Sequence, residues 1–303
     1  MPVTIGFVIR PSDPHPCAKL AISVATAEAR PVIGGQPQPA EDQIRTLLQT
    51  AADGGVSQVV VRPTGEAERQ LGQAWPFPSP FSVSVRTLPI SEGLDRVEAR
   101  ARRSLERMGL PRGDVLMVQA ADDLAGSEGR ALWDRCQALK GRGLFKRVGL
   151  KLTMEDGPAL MARRFLPDVV EIPCGLLDQR AERAGVLAEL AELGCEVRVS
   201  GVFARGLLFG PREAMGFEAP DSQTRAAVSR VRLRMAEARL DPMQAALAYA
   251  LGLEHVAVVL IGARSAAELR AVMAAAGQPA PQIDWGAFSL TEAPTARRVS
   301  SAA

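Results

Sequence analysis

The chain is poor in the side chains that move protons. Of its 303 residues only one is tyrosine, Tyr249, two are histidine, His15 and His255, and four are lysine. General acids and bases that work near neutral pH come largely from these types and from tuned carboxylates, so the acid–base repertoire is thin. The four cysteines, Cys17, Cys136, Cys174 and Cys195, lie far apart and form no CxxC pair. With no signal-peptide pattern and no long apolar run, a reduced, bacterial-type cytoplasm fits this cysteine usage best. His15 and Cys17 stand together in a proline-rich loop, but no second cluster completes four ligands, so no metal site is expected. Charge of one sign is not in excess either: 36 Lys and Arg against 34 acids leave a net charge of +2. The charges are scattered, with no basic stripe for nucleic acid and no polybasic cluster for a membrane. The expected partner is a small molecule, and the oligomeric state is open.

What is present is an ordinary packed composition, 47% hydrophobic and 23% charged, in a length that suits two average domains or one α/β barrel. Residues 1–17 read as a strand or hairpin and a loop. Leu20–Thr26 is a strand, followed by the Pro31–Pro39 loop and a helix over Ala40–Asp53 with Ile44, Leu47 and Leu48 on one face. The alternation then repeats: strands at Gln58–Arg62, Phe81–Thr87, Asp114–Gln119, Arg147–Leu152, Asp168–Pro173 and Glu196–Ser200. Between them fall helices at Glu66–Trp75, Gly93–Met108, Glu128–Lys140, Pro158–Phe165 and Ala181–Leu193. A long loop, Gly201–Pro220, leads to helices at Ser222–Arg239 and Pro242–Leu251. Eight strands alternating with helices predict the α/β class and a single (β/α)8 TIM barrel over residues 1–285. An open doubly wound sheet is the competing architecture, and no GxGxxG follows an early strand to support it. Residues 277–303 lack periodicity and read as a surface course, with a partly disordered tail over 286–303.

The eighth unit carries the clearest binding signal. Val256–Ile261 is a buried-type strand, Gly262 permits a sharp turn, and Ser265 with Glu268 three residues later has capping-box spacing at the start of a helix to Ala276. A helix N-terminus beside Arg264 offers N–H groups and a planar cation to a phosphate.

In their order, these pieces resemble the aldo-keto reductase superfamily from about Leu20 to Trp285. Gly65-Glu66-Ala67-Glu68-Arg69-Gln70-Leu71-Gly72 is similar to its Tyr-Gly-x-x-Glu-x-x-Leu-Gly motif, and Asp178-Gln179-Arg180 follows the sixth strand. Gly201-Val202-Phe203-Ala204-Arg205-Gly206-Leu207-Leu208 resembles its Ser-x-Phe-x-x-Gly-Leu-Leu loop. The resemblance implies a barrel of aldo-keto reductase type and an NADP site formed by Gly201, Phe203, Gly206, Leu207, Gly262, Arg264, Ser265 and Glu268. It also implies NADPH-dependent carbonyl reduction by an Asp, Tyr, Lys and His tetrad, and here the chain departs from the pattern. No acid stands in Val56–Gly65, Thr64 takes the tyrosine position, Arg86 the lysine position and Gln119 the histidine position. Tyr249 falls on a late helix outside the barrel. With Arg62, the residues Thr64, Arg86 and Gln119 are the expected lining of a substrate pocket. None supplies a proton readily at neutral pH.

The resemblance further maps the nicotinamide carboxamide contacts onto Lys151 and Glu171. Two readings follow: an ion pair between them, or a catalytic lysine with a lowered pKa in a changed lyase or weak oxidoreductase chemistry. Cys174, Asp122, Asp123 and Arg205 stand after strands as further candidates. Cys174 is expected to face the mouth or fill space, the two aspartates to act in the site or as caps, and Arg205 to reach an anion or solvent.

Overall fold

In the computed structural model the described residues are 17–24, 40–63, 65–76, 79–209 and 221–290. The reading of residues 1–16, the Pro31–Pro39 loop, Thr64, the latter part of the Gly201–Pro220 loop, the tail past 290 and the Arg205 side chain lie outside them.

Eight parallel strands close on themselves in sequence order. They are β1 (Leu20–Val24), β2 (Gln58–Val61), β3 (Ser82–Arg86), β4 (Gly113–Val118), β5 (Phe145–Lys151), β6 (Val169–Pro173), β7 (Glu196–Ser200) and β8 (Val258–Ala263). The helices are α1 (Ala40–Asp53), α2 (Gly65–Ala74), α3 (Leu94–Arg107), α4 (Gly126–Gly141), α5 (Pro158–Phe165), α6 (Arg180–Arg183), α7 (Val186–Glu192), α8 (Ser222–Glu237), α9 (Pro242–Leu251) and α10 (Ala266–Ala276). The expected (β/α)8 barrel is the observed architecture.

Two local expectations need correction. The helix expected over Ala181–Leu193 is two pieces, α6 and α7, because Gly185 takes a left-handed conformation (φ 71°) between them. The eighth strand begins at Val258 and runs through Gly262 to Ala263, so Gly262 is a strand residue and not the turn. Packing also continues past residue 285: Phe288 and Leu290 are buried in the core, and the Leu290 N–H donates to the Leu177 carbonyl at 2.9 Å.

Register partners in a parallel sheet face the same side, so one cross-barrel contact sets the orientation of the whole ring. Arg86 on β3 bonds Glu171 on β6, strands that are not neighbours, and both therefore point inward. Glu171 is in register with Lys151 and Arg198, Arg86 with Met117, Arg198 with Val258, and Gly262 with Ser23. The other face of the strands packs against the helices in one large apolar core, while Val115, Met117 and Val169 form a separate small cluster. Barrel interiors are usually layered with branched aliphatics; this one is crossed by arginines. Arg198 is 2% exposed and donates through Nη1 to Ser84 Oγ at 3.0 Å on the far side. At the amino end Arg147 donates to Glu196 at 2.5 Å and to Asp114 at 2.6 Å.

Candidate functional site

The carboxyl ends of the strands are where barrels of this architecture build their sites. At that end the floor is a buried ion pair: Arg86 Nη2 donates to Glu171 Oε2 at 2.6 Å, with the side chains 5% and 2% exposed. Around this floor stand half-buried inward residues, Ser23, Lys151 and Ser200, with Gln119 following β4. Gly262 is exposed, and a Cβ built on it would meet nothing within 4 Å. Its missing side chain keeps β8 open at the mouth, a different role from the turn expected of it.

The expected pairing of Lys151 with Glu171 finds both in register on adjacent strands, but the Glu171 oxygen Oε2 is held by Arg86. Arg86 and Glu171 are thus one unit, which the sequence did not link because 85 residues separate them. The pair is held by a single hydrogen bond. Arg86 Nη1, Glu171 Oε1 and Gln119 Oε1 are enclosed and have no hydrogen-bond partner among the described residues. Arg62 lies exposed just after β2.

The phosphate-grip residues sit at the start of α10, all at the surface. Ser265 Oγ accepts the Glu268 N–H at 3.1 Å, as a cap should, and Glu268 Oε2 accepts the N–H of Arg264 at 2.9 Å. The box closes one residue earlier than the usual form, on Arg264 instead of Ser265. Arg264 is exposed at the rim beside Gly262. The expectation of a phosphate site here rests on a helix start, an open glycine strand and an exposed cation, moderated by the Glu268 carboxylate in the first turn.

The seventh loop is divided in exposure. Gly201 (φ 76°) is exposed, whereas Gly206 and Leu207 are buried, and Phe203 tilts against Phe209 with ring centroids 5.3 Å apart. The Leu207 carbonyl accepts the Arg232 guanidinium, at 3.1 Å for Nε, which ties the loop to α8.

Other candidates resolve into packing. Cys174 is 1% exposed in the outer core, and burial pushes its thiol up to about 12; it does not face the mouth. Tyr249, on α9, lies against Trp285 with centroids 5.9 Å apart, and burial pushes its phenol up. Asp123 is buried and accepts the Ile90 N–H at 2.9 Å, bracing the loop after β3; burial raises its carboxyl. Among the described residues no three His, Cys, Asp or Glu side chains converge as metal ligands.

The Gly65–Gly72 motif turns out to be a clamp between helices. Glu68, fully buried, accepts from Ser104 Oγ at 2.5 Å, Arg100 at 2.8 Å and Arg107 at 3.1 Å, all on α3. A Cβ on Gly72 would come within 2.4 Å of the Arg107 carbonyl, so only glycine permits that approach.

Comparison with known proteins gives the same architecture. No curated protein matches the sequence. The solved glycerol dehydrogenase AKR11B4 from Gluconobacter oxydans is similar in structure, with a TM-score of 0.64 at 17% identity over 87% of this chain and 88% of that one. The aldo-keto reductase AKR11C1 from Bacillus halodurans, in its holo form, has a TM-score of 0.65 at 16% identity over 87% and 88%. At such identities the likeness concerns the fold. A sequence profile described as Aldo/keto reductase family matches residues 85–288, two thirds of the length, and the chain belongs to that family.

Proposed function

We propose that this protein is an aldo-keto reductase family member that binds NADP(H), or another phosphate-bearing small molecule, and does not carry out ordinary carbonyl reduction. The observation that carries this reading is Arg86. Where the family pattern has a lysine, an arginine is enclosed and bonded to Glu171 at 2.6 Å. Gln119 accepts and donates hydrogen bonds but gives up no proton. NADPH held in the mouth would supply a hydride, whereas neither a guanidinium at Arg86 nor an amide at Gln119 is a ready proton donor, and losing general-acid help costs about 10² to 10⁴ in rate. Arg264, Ser265 and the first turn of α10 are the residues that would hold a phosphate, and Gly201 and Gly262 leave room beside them.

Titrating the purified protein with NADPH by fluorescence tests the retained grip, with saturation expected near physiological concentrations. Absence of binding removes it. Arg264→Met should weaken that binding by roughly tenfold, the loss of one charge-assisted contact. Brisk NADPH-dependent reduction of a standard aldehyde would overturn the loss of proton transfer.

The second reading is changed chemistry, a lyase or weak oxidoreductase on Lys151 and Glu171. The register of these two residues favours it and the Arg86 bond to Glu171 weighs against it. Borohydride trapping with small aldehydes decides it: no adduct at Lys151 counts against an imine. The reading carries with it a reduced compartment, on four cysteines that lie far apart in the sequence and are all buried. No described helix is long and apolar enough to cross a membrane.

A further inference from the structure

Beside the mouth, a cavity of about 590 Å³ opens between the short turn Met154–Asp156 after β5, α6 after β6, and the chain segment 285–290. None of the inward-facing strand residues lines it. Small-molecule sites span roughly 300–1,000 Å³ and are largely pre-formed, and these walls are held from behind. Gln179, 3% exposed, donates through Nε2 to the Trp285 carbonyl at 2.8 Å and the Leu176 carbonyl at 3.0 Å. The Leu290 N–H donates to Leu177, and Arg234 Nη1 donates to the Ala287 carbonyl at 2.6 Å. On the opposite wall Arg180 donates through Nε to Asp178 at 2.9 Å and through Nη1 to Glu155 at 2.6 Å.

The lining specifies a complement. Met154, Ala184 and Leu290 are apolar, Arg180, Arg183 and Ser289 are polar, and no carboxylate lines the cavity. Arg180 is engaged by its two carboxylates, and Ser289 Oγ donates to the Leu290 carbonyl at 3.2 Å. Arg183 is exposed, and its guanidinium has no hydrogen bond or ion pair among the described residues. The carboxylates of the flanking loops are occupied: Glu155 and Asp178 on Arg180, Asp156 on the Thr153 N–H, Asp284 on the Gly286 N–H. Glu182, next to Arg183 in the chain, is exposed and lies outside the lining. On a convex surface Arg183 would be a solvated charge; here it stands at a concavity with an apolar wall. A guanidinium matches the two oxygens of a carboxylate, and the Met154 and Leu290 wall takes hydrocarbon. A second anionic group would be set against that wall or near the carboxylates behind Arg180, so one negative charge fits better than two.

We propose that this cavity is a second binding site, separate from the mouth, for a small monocarboxylate with an apolar body, its carboxylate on the Arg183 guanidinium and its hydrocarbon against Met154 and Leu290. The site needs neither NADPH nor any residue of the mouth.

The experiment is a calorimetric titration of the full chain with hexanoate and 3-phenylpropionate, beside hexanol, hexylamine, acetate and adipate. The two monocarboxylates with an apolar body are expected to bind at about millimolar concentration or below. Hexanol and hexylamine lack the anion, acetate lacks the body, and adipate carries a second charge, so each is expected to bind at least about tenfold more weakly. Arg183→Met is expected to weaken hexanoate binding by about tenfold or more and to leave the NADPH titration unchanged. Ala184→Glu, which sets a carboxylate into the cavity, is expected to abolish hexanoate binding. Both positions are exposed, and an unaltered thermal unfolding curve shows that each variant keeps the fold. The proposal is overturned if neither monocarboxylate binds, or if hexanol, hexylamine, acetate or adipate binds as well as hexanoate. It is equally overturned if hexanoate binding survives in folded Arg183→Met or Ala184→Glu, which would put the ligand elsewhere on the chain. A negative NADPH titration with positive hexanoate binding would remove the phosphate grip alone.

Discussion

Arg86 and Glu171 define what can be tested one side chain at a time. Breaking a buried pair leaves an uncompensated charge, so Arg86→Met or Glu171→Met alone is expected to lower the unfolding free energy by about 3–5 kcal/mol, whereas the double variant is near neutral or more stable. Urea unfolding of the three variants measures this, and simple additivity of the two single losses would refute the coupling. The thiols give a second residue-level expectation. Burial raises all four, Cys136 and Cys174 to about 12 and Cys17 and Cys195 in the same direction. A thiolate is the reactive form, so a disulfide reagent at pH 8 should find no fast thiol in the folded protein and four after denaturation. A rapidly labelled Cys174 would return it to the mouth. The sequence could not have made these assignments. Whether Cys174 faces mouth or core depends on strand parity, and the partner of Glu171 depends on which strand lies across the closed ring.

At the level of elements, α2, α3 and α4 are bound by polar contacts at set positions. Gly72→Ala raises helix propensity, yet its methyl would press on the Arg107 backbone. Overpacking of this kind costs about 1–3 kcal/mol, more than the propensity gain. Thermal unfolding of the variant checks this, and an unchanged or higher midpoint would show that α2 can move away. Between α3 and α4, Glu98 accepts from Arg102 at 3.1 Å, Arg135 at 3.0 Å and Arg142 at 2.8 Å. Partial burial pushes its carboxyl up, but the three guanidinium hydrogen bonds outweigh that and hold it below its ordinary range. A depressed folded pKa means stability present above the unfolded value, about 4.3, and lost as pH falls through the folded one. Wild type should therefore exceed Glu98→Gln in urea midpoint at pH 7 and converge with it near pH 3; a constant gap would contradict the linkage. The elements themselves were legible because periodicity reports burial directly. Their ends were less so. Gly185 breaks a helix that the apolar spacing of Leu187 and Leu190 continues, and β8 starts two residues late because Val256 is apolar and buried without being paired.

For the whole molecule, closure is the property that no single segment encodes, although the count of eight alternating units anticipated it. A closed ring has no edge strand, but its seams are unequal. The β7–β8 seam has two register pairs, Arg198 with Val258 and Val199 with Val259, whereas β1–β8, β4–β5 and β6–β7 each have five. Arg198 crosses the barrel from this seam to Ser84, so the guanidinium on β7 is tethered to β3, while β8 is held to β7 by those two register pairs and by the Ala257 N–H, which donates to the Val197 carbonyl at 2.9 Å. Local openings draw on the regions with the fewest protected hydrogen bonds. Hydrogen exchange is therefore expected to show β8 amides facing β7 exchanging ahead of those between β4 and β5. The proposed phosphate grip would follow directly from β8, so a ligand held by Arg264 and the start of α10 should slow exchange at the β7–β8 seam more than at any other. Uniform protection around the ring, or slowing confined to α10, would mean that the eighth unit is anchored by its helix and that the strand beneath it takes no part in binding.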